Sequence, residues 1–537
     1  MRDLYRWQHD ALTAWHRCGR KGVIEAVTGS GKTDVAITAI ADALERGLFV
    51  LVIVPSRVLM EQWNERLTES LPERSIGRLG DGYRDRPADC DVLVTTRHSA
   101  ASRVPLPKTD AGGLLVADEC HGFGGAVLRK SLLPEYQERL GLTATLERSD
   151  DAVESILLPY FGGICFRYDF GAAITDGVCA QPRVAFVAVP LTAEERSEYD
   201  ATEGAIVAAR RVLKGIPGVP HTPFGDFLAA VHHLAENDAG PDGKAANDYL
   251  EAFSARREIV ATSSAKYESL GTFADVIKHA DGALIFTETV RAANHAIVRL
   301  DPHIDIEIIT GGTGRSDRGQ ILDNLRDGSL DAVAAPRVLD EGVDVPNANL
   351  GIVVSASRTR RQMIQRMGRI LRRKPLGSGA RFVIIFAADT MEDPRYADGG
   401  DGFLEEIEDI SEASHVFGPA EADVLTKFLD YTGPATVIRP ETVGHFTAPE
   451  LSADELERLR EPTGAAYLEI QSPELPEIRQ KKVVKEKPRL STGENPVTLQ
   501  AIGGEWVLRC TGCGNTSEPR SFKWQALEDK VDCTCLR

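Results

Sequence analysis

The sequence predicts an α/β protein with two doubly wound parallel sheets, a helical insertion and a small cysteine-containing module near its end. Short apolar runs of strand length alternate with helical patterns in residues 1–172 and again in 281–395, as in parallel sheets covered by helices. A glycine-rich loop at residues 26–33 follows a strand pattern and precedes a helix pattern, which is the context of a phosphate-binding loop.

Length and composition indicate a multidomain protein. The chain has 537 residues, of which 42% are hydrophobic, enough for several cores. Its net charge of −18 argues against nonspecific nucleic-acid binding by the whole chain, but it is compatible with a local basic groove. The N-terminal residues lack the apolar segment of a secretory signal, and the longest apolar runs have only strand length. We therefore expect a cytoplasmic protein without a membrane partner.

Changes in pattern and composition divide the chain into five predicted units. The two α/β lobes are separated by a stretch with long helical patterns, and an acidic stretch and a basic linker follow the second lobe. The units are 1–172 (first lobe, ATP-binding), 173–280 (linker and helical insertion), 281–395 (second lobe), 396–490 (acidic helical extension and basic linker) and 491–537 (cysteine module).

The glycine-rich loop predicts where ATP would bind. Its glycines allow backbone N–H groups to surround phosphates, and the helix that follows directs its positive dipole end at the same anion. Lys32 is expected to reach the β- and γ-phosphates, and the Thr33 hydroxyl to hold Mg²⁺. Ala26 replaces the first glycine of the usual pattern, and its small side chain still fits. The candidate ATP-binding residues are Thr28, Gly29, Ser30, Gly31, Lys32 and Thr33.

Two further sets of charged residues predict the chemistry of the site. Asp118 and Glu119 follow an apolar strand, where carboxylates point into a nucleotide-binding crevice. Asp118 would hold Mg²⁺, and Glu119 would activate the attacking water. Arg369 and Arg372, in the second lobe, share one helix face and could neutralise the transferred phosphoryl group. A solvated basic face, or a nucleic-acid patch without a catalytic part, remains the alternative for this pair.

The order of these motifs resembles that of the superfamily 2 helicases of DEAD/DEAH-box type. Residues 26–33 resemble motif I, 118–121 a D-E-x-H box, 141–145 motif III, 340–346 motif V and 365–372 motif VI. The XPB-like, restriction-helicase (ResIII) branch is most similar, because 140–150 resemble its motif III and the R-E-D loop that follows. Ser149 stands where that loop has glutamate, and Pro336 where motif V often has serine or threonine. The resemblance implies two RecA-like lobes.

The resemblance also implies roles for residues that spacing alone does not identify. Arg6 and Gln8 would recognise adenine, Gly342 and Asp344 would contribute to ATP binding, and Gln365 would act in catalysis. Coupling of the nucleotide state to movement would involve His121, Thr143 and Thr145. The expected nucleic-acid contacts, made to the backbone and independent of base sequence, are at Ser56, Arg57, Thr95, Thr96, Thr287 and Gly312.

Four cysteines near the end of the chain predict a structural zinc site. Cys510 and Cys513 form a C-x-x-C pair, and Cys533 and Cys535 form a second close pair. Four thiolates in two close pairs suit tetrahedral Zn²⁺, so the module is predicted to be zinc-ribbon-like.

The function that the resemblance implies is ATP-dependent movement along DNA, or its unwinding, with 3′→5′ polarity. An RNA helicase is one alternative. A motor or scaffold subunit of a multi-subunit repair, defence or restriction complex, without unwinding activity of its own, is another. The similarity of residues 140–150 to the XPB-like branch favours DNA. Protein partners would bind the C-terminal region.

Overall fold

The computed structural model describes most of the chain before residue 450 and one hairpin near the C-terminus. The described residues are 3–108, 112–148, 150–221, 224–238, 240–336, 348–354, 366–368, 370–371, 379–393, 407–418, 421–430 and 440–449, with the backbone of Val497–Ile502 and Glu505–Cys510. Within them the chain forms two large sheets, each covered by helices, and the strands are parallel except that Tyr83–Arg84 pairs antiparallel with Ile76–Gly80. The two doubly wound lobes that the sequence predicts are therefore confirmed.

The first sheet forms lobe 1. In the described residues it has eight strands in the order β4-β3-β5-β2-β6-β7-β1-β8. The strands are β1 (Lys21–Ala26), β2 (Phe49–Val54), β3 (Ile76–Gly80), β4 (Tyr83–Arg84), β5 (Val92–Thr96), β6 (Gly113–Asp118), β7 (Glu138–Thr143) and β8 (Ile164–Tyr168). Strand β2 is apolar throughout because Val50 and Val52 enter the core on one face of the sheet, and Leu51 and Ile53 the core on the other.

The helices of lobe 1 begin where the sequence offers caps. The helices are α1 (Arg6–Arg17), α2 (Lys32–Glu45), α3 (Arg57–Ser70), α4 (Arg97–Arg103), α5 (Leu158–Phe161) and α6 (Phe170–Thr175). The Ser56 side chain caps α3 and the Thr96 side chain caps α4, each accepting a backbone N–H of the first turn. Trp7 of α1 is buried and stacks on Tyr168 of β8 with 4.5 Å between the ring centroids. This contact fixes α1 beside the end of β1.

The second sheet forms lobe 2. Its strands in the described residues are all parallel, in the order β11-β12-β10-β13-β14-β9-β15. They are β9 (Pro182–Val189), β10 (Ala283–Thr287), β11 (Ile306–Ile308), β12 (Ala332–Pro336), β13 (Leu350–Val353), β14 (Ala380–Ala387) and β15 (Ala413–Phe417). One buried apolar cluster contains residues from both lobes, such as Val52 and Leu284.

Strands β9 and β15 come from stretches whose sequences predict no strand of lobe 2. Strand β9 lies in the predicted linker and insertion, and β15 lies in the predicted acidic helical extension. Strand β9 pairs with β14 along its full length, from Pro182 opposite Ala380 to Val189 opposite Ala387. Since this partner comes almost 200 residues later, a local pattern cannot assign β9 to the sheet. The insertion therefore follows the first strand of lobe 2.

The helical insertion has a core of its own. It consists of α7 (Ala193–Lys214), α8 (Phe224–Asn237) and α9 (Pro241–Ala261). Leu213, Phe227 and Tyr249 from these three helices are buried together. Lobe 2 also contains the helices α10 (Ser264–Gly271), α11 (Ala274–Lys278), α12 (Val290–Leu300), α13 (Arg315–Asp327) and α14 (Ala422–Leu429).

The C-terminal part of the described chain is an antiparallel hairpin of β16 (Val497–Ile502) and β17 (Glu505–Cys510). Cys510 is the last residue of β17, whereas Cys513, Cys533 and Cys535 lie outside the described residues. Throughout the described ranges, the helices are either too short or too polar to cross a bilayer.

Candidate active site

The phosphate loop lies between β1 and α2, as predicted. Gly29 and Gly31 have φ values of 86° and 99°, in the left-handed region that favours glycine. A Cβ on Gly31 would lie 2.6 Å from Nε2 of Gln8, so a side chain there would displace the Gln8 side chain. Ala26, the departure from the usual pattern, is fully buried as the last residue of β1.

Side chains of the loop are held close to its backbone. Lys32 Nζ donates hydrogen bonds to the carbonyl oxygens of Ala26 at 2.5 Å and Val27 at 3.1 Å. The Ser30 hydroxyl also donates to Val27 O, at 2.7 Å. The Thr28 hydroxyl is buried and has no hydrogen-bond partner within the described part of the chain. A buried polar atom of this kind, beside N–H groups at a helix N-terminus, fits the phosphates of ATP.

The predicted metal-binding carboxylates lie at the end of β6. Asp118 Oδ2 accepts a hydrogen bond from Trp63 Nε1 at 2.9 Å, and Oδ1 accepts one from the Glu119 backbone N–H at 3.0 Å. Burial, and then the like charge of Glu119, raise the pKa of Asp118 to about 6. Two close carboxylates that are difficult to ionise together fit a divalent cation, and Lys32 provides an additional positive charge nearby.

His121 connects the carboxylates to motif III. Its Nδ1 lies 3.0 Å from the Thr143 hydroxyl oxygen and 3.3 Å from Glu119 Oε2. The Thr143 hydroxyl donates its own hydrogen to Thr145 O at 2.8 Å, so the proton between His121 and Thr143 belongs to Nδ1. The three predicted coupling residues, His121, Thr143 and Thr145, are therefore brought together in one buried chain of hydrogen bonds.

Motif VI contacts the phosphate loop. A Cβ on Gly368 would lie 2.6 Å from Thr28 Cβ and 2.7 Å from Thr28 O, so the two backbones meet and only glycine fits. This contact joins lobe 2 to the phosphate loop of lobe 1. Gln365, Arg369 and Arg372 of motif VI, and Gly342 and Asp344 of motif V, lie outside the described residues.

Two protein families match the chain in the regions of the two lobes. Residues 2–148 match "Type III restriction enzyme, res subunit", and 265–374 match "Helicase conserved C-terminal domain". The DNA 3'-5' translocase XPB2 of Sulfurisphaera tokodaii is 31% identical over 381 residues, 69% of this chain and 79% of that protein. The chain belongs to the XPB-like branch of the superfamily 2 helicases.

Other relatives agree with this assignment. The putative DNA 3'-5' helicase Rad25 of Haloarcula marismortui is 30% identical over 396 residues, which are 73% of the chain but 53% of that protein. The solved structure of S. cerevisiae Dbp5 bound to RNA and ADP BeF3 covers 81% of the chain and 94% of its own, with a TM-score of 0.52 and 13% identity. At that identity the likeness shows the fold alone, two RecA-like lobes. Membership of this helicase family makes the chain an ATP hydrolase that uses ATP and Mg²⁺.

The XPB-like R-E-D region supports the D-E-x-H box. Arg148 donates to the His121 carbonyl oxygen at 2.8 Å and forms a bidentate pair with Asp150, at 2.6 and 2.5 Å. This pairing also lowers the pKa of Asp150. Arg148 thus holds the backbone of the box in place. Ser149, between these residues, lies outside the described residues.

The predicted nucleic-acid contacts of lobe 1 surround an open cleft. It is lined by Pro55, Ser56, Arg57, Val58, Asp81, Thr96, His98 and Ser99. Arg57 is exposed and pairs with Asp81 at 2.6 Å, so an acidic side chain faces the basic one inside the cleft. Thr95 is instead fully buried, and its hydroxyl donates to Leu79 O at 2.8 Å. The Thr95 side chain therefore braces β3 in this structure.

The predicted contacts of lobe 2 are at the ends of its strands. Thr287 ends β10 and is fully buried, and its hydroxyl donates to Thr289 O at 3.2 Å. Gly312 lies in an exposed loop, where its N–H donates to the Thr310 hydroxyl at 3.2 Å. Because Gly312 has no side chain, any phosphate contact at this position would be made by its backbone.

The two residues predicted to recognise adenine have different partners in the structure. Gln8 caps its own helix and donates to Gly31 O at 3.0 Å, so it links α1 to the phosphate loop. Arg6 is exposed and pairs with Glu441 at 2.7 Å. Residues 441–444 run antiparallel to 4–6 and exchange backbone hydrogen bonds of 2.9–3.2 Å with them. The stretch after α14 therefore returns to lobe 1 and pairs with the residues at the start of α1.

Sequence reasoning does not identify Trp63, Arg148 and Glu441 as parts of this site. The indole contact of Trp63 with Asp118 spans 55 residues. The pairing of Arg6 with Glu441 spans 435 residues. Arg148 is predicted only as part of the stretch that resembles the R-E-D loop. Spacing carries no signal for such contacts, because the fold creates them.

Proposed function

We propose that the chain is an ATP-dependent DNA translocase or helicase that moves 3′→5′ along one strand. The contact between Gly368 of lobe 2 and Thr28 of the phosphate loop carries this proposal, because it joins the two lobes at the ATP site. The names of the Sulfurisphaera and Haloarcula relatives, a DNA 3'-5' translocase and a putative DNA 3'-5' helicase, support DNA as the polymer and this polarity.

In this proposal the residues of lobe 1 divide the chemistry of hydrolysis. Lys32 and the backbone N–H groups of residues 28–33 bind the phosphate oxygens of ATP. Thr33 and Asp118 would hold Mg²⁺, whose positive charge would neutralise phosphate charge and lower the pKa of Asp118. Glu119 accepts a proton from the attacking water, the role that phosphoryl transfer to water requires.

Lobe 2 completes the proposed site. We assign Arg369 and Arg372 to stabilising the negative charge of the transition state, and Gln365 to positioning the reacting groups. Gly342 and Asp344 are assigned to ATP binding on the same lobe. The position of Gly368 against the phosphate loop supports these assignments, because Arg369 directly follows it in the sequence.

Movement follows from alternate closing and opening of the lobes. Bound ATP favours closure because its phosphates have partners on both sides, and hydrolysis removes that preference. The buried hydrogen bonds of His121, Thr143 and Thr145 connect Glu119 to the strand end of motif III. We propose that this chain transmits the nucleotide state to the DNA-binding surface.

DNA is proposed to cross the cleft of lobe 1 and the loops at the strand ends of lobe 2. Ser56 and Thr96 cap α3 and α4 at the cleft, so backbone N–H groups of the first helical turns face it. Such groups bind phosphates without reading bases. Thr95 and Thr287 would contribute through their backbone, because their hydroxyls already donate within the protein.

The deciding experiment measures ATP hydrolysis and strand displacement with single-stranded, duplex and forked DNA and with RNA. We expect DNA to stimulate hydrolysis more than RNA does. Lys32→Ala and Glu119→Gln should each abolish the stimulated rate, because they remove the phosphate ligand and the base. Stimulated hydrolysis retained in both variants would refute the ATPase assignment. Stimulation by RNA alone would replace DNA with RNA as the polymer.

A second candidate function is that of a motor subunit within a larger complex. The XPB protein of Drosophila melanogaster, 25% identical over 392 residues, is named a helicase/translocase subunit of a general transcription and DNA repair factor. Capture of partners by the full-length chain, with DNA-stimulated ATPase but no strand displacement by the chain alone, would favour this function. Full unwinding by the isolated chain would count against it.

We also propose a structural Zn²⁺ in the unit 491–537. The β16–β17 hairpin supports it, because β17 ends at Cys510, the first of the four predicted ligands. Purified protein should contain about one zinc per chain, and Cys513→Ser should lower this content sharply. Absence of zinc from protein prepared without a chelator would refute the site. The division of the chain at residues 172, 280, 395 and 490 remains a proposal, with β9 and β15 joining lobe 2.

A further inference from the structure

Glu288 is an almost buried carboxylate between the helical insertion and motif VI. Its Oε2 accepts a hydrogen bond from Nη2 of Arg257, on α9, at 3.0 Å. Its Oε1 lies 3.8 Å from Nη2 of Arg366. One carboxylate therefore lies within ion-pair distance of a guanidinium from each of these regions. None of the motifs includes Glu288.

The position of the Arg366 side chain is determined by its neighbours because the residue is fully buried. The guanidinium lies over the Phe286 ring, 5.3 Å from the centroid, and Glu288 supplies a negative charge at its edge. A guanidinium removed from water needs such a partner to offset its lost hydration and to hold it in place. Two residues later, Gly368 meets the phosphate loop at Thr28. A shift of Arg366 would therefore change the contact at the ATP site.

Helix α9 extends from the insertion to lobe 2, close to Glu288. Its first half is part of the insertion core through Ala246 and Tyr249, while its last turns reach lobe 2, where Val260 is buried. A second ion pair lies alongside the first: Glu258 of α9 is 3.7 Å from Arg291 of α12. Two successive residues of α9 are thus paired with opposite charges at the start of α12. This second pair involves neither Glu288 nor Arg366.

We propose that Glu288 is a positioning residue for ATP hydrolysis, which acts through Arg366 and links the helical insertion to the ATP site through Arg257. The inference rests on the proposed function, since it assigns Arg366 a place beside the catalytic arginines. Glu288 orients the buried guanidinium, and the short segment from Arg366 to Gly368 carries this orientation to Thr28. Displacement of α9 by a ligand on the insertion would alter the same contact.

The test compares DNA-stimulated ATP hydrolysis by full-length variants. Glu288→Gln should lower kcat about tenfold, because a misplaced catalytic group slows the chemical step. KM for ATP should stay within about twofold, because the phosphate loop of lobe 1 is unchanged. Glu288→Asp retains the charge and should recover part of the rate. Arg257→Gln should also lower kcat, but less than Glu288→Gln does, since Arg366 keeps the Glu288 carboxylate as its partner.

The matched control is Glu258→Gln. It breaks the neighbouring ion pair between α9 and α12 and leaves Glu288 and Arg366 untouched, so kcat should stay within about twofold of wild type. Equal losses of kcat in Glu258→Gln and Glu288→Gln would overturn the proposal, because they would reveal only a structural role for this helix contact. An unchanged kcat in Glu288→Gln would also overturn it.

Failure of this inference is distinguishable from failure of the proposed function. If Lys32→Ala is inactive while Glu288→Gln has normal kcat, the ATPase assignment stands and the role of Glu288 is refuted. If Lys32→Ala remains active, the ATPase assignment itself fails. Thermal unfolding of each variant checks folding. If Glu288→Gln does not fold, Arg257→Gln and Glu258→Gln decide the question, and equal kcat values for these two would refute the link.

Discussion

Replacing Asp118 with asparagine is expected to stabilise the protein while it abolishes ATP hydrolysis. Burial and the adjacent Glu119 raise the pKa of Asp118 from 3.8 to about 6. A shift of roughly 2 pKa units corresponds to about 3 kcal/mol, by which the ionised carboxylate destabilises the folded state at neutral pH. Asparagine removes this charge. Stability and activity therefore oppose each other at this position.

Hydrogen bonding reduces the expected gain. Both Asp118 oxygens accept N–H groups, from Trp63 and from the Glu119 backbone. The amide nitrogen of asparagine cannot accept, so one bond is lost, a cost of about 1 kcal/mol. The net stabilisation expected above the folded-state pKa is then about 2 kcal/mol.

The sign of the pH dependence follows from the raised pKa. Below the unfolded-state value of 3.8, Asp118 is protonated in both states, and its ionisation does not affect stability. As the pH rises towards the folded-state value, the unfolded state ionises first, so wild-type stability falls. Above about 6 the full penalty is present. The advantage of Asp118→Asn should therefore be largest at neutral pH and should disappear on acidification.

Unfolding in Mg²⁺-free buffer between about pH 4 and pH 8 tests this reasoning. Tryptophan fluorescence reports on lobe 1, where Trp7, Trp15 and Trp63 are buried. Asp10→Asn, which removes an exposed charge from α1, is the control and should show no comparable gain. An Asp118→Asn protein that is less stable than wild type at pH 8, or whose difference from wild type does not change with pH, would refute the argument.

Three further substitutions probe neighbouring parts of the site. Gly368→Ala should lower kcat at least about tenfold without loss of folding, because its Cβ would lie 2.6 Å from the phosphate loop; ATPase assays and thermal unfolding check this. Trp63→Phe removes the indole donor of Asp118, so its pKa should rise by about 1 unit. The acid limb of the ATPase pH profile, measured at limiting Mg²⁺, should move to higher pH by the same amount. Asp81→Asn should strengthen single-stranded DNA binding about threefold by freeing Arg57 for phosphate. Fluorescence anisotropy titrations at several salt concentrations measure this affinity.

Local chemistry explains which parts of the site the sequence predicts. The phosphate loop and the Asp118-Glu119 pair are contiguous, and their strand contexts are determined by short apolar runs. Their positions at the ends of β1 and β6 follow directly from that pattern. Caps such as Ser56 have the same local origin. For these residues the fold adds distances and burial but does not change the assignment.

Residues whose partners are distant in the chain could not be predicted in this way. The indole of Trp63 reaches Asp118 because α3 packs on β2, the neighbour of β6 in the sheet, and Glu288 meets Arg366 across lobe 2. Thr95 resembles a nucleic-acid contact in sequence, yet the approach of β3 takes up its hydroxyl. In each case the side chain has several chemically acceptable partners, and tertiary packing selects one of them.

The topology constrains how the two lobes can move. Because β9 and β10 both belong to the second sheet, both ends of the helical insertion are anchored in lobe 2. The insertion therefore moves with lobe 2, and the ion pairs of α9 with Glu288 and Arg291 can remain intact during closure. The chain returns to lobe 1 after α14, where Phe446 lies 5.3 and 5.1 Å from the rings of His9 and His16. When the lobes open, the contact of Phe446 with His9 and His16 must either be kept or be broken, close to Arg6. If it is broken during the cycle, Phe446→Ala should change the nucleotide affinity. If it is kept, the affinity should stay the same.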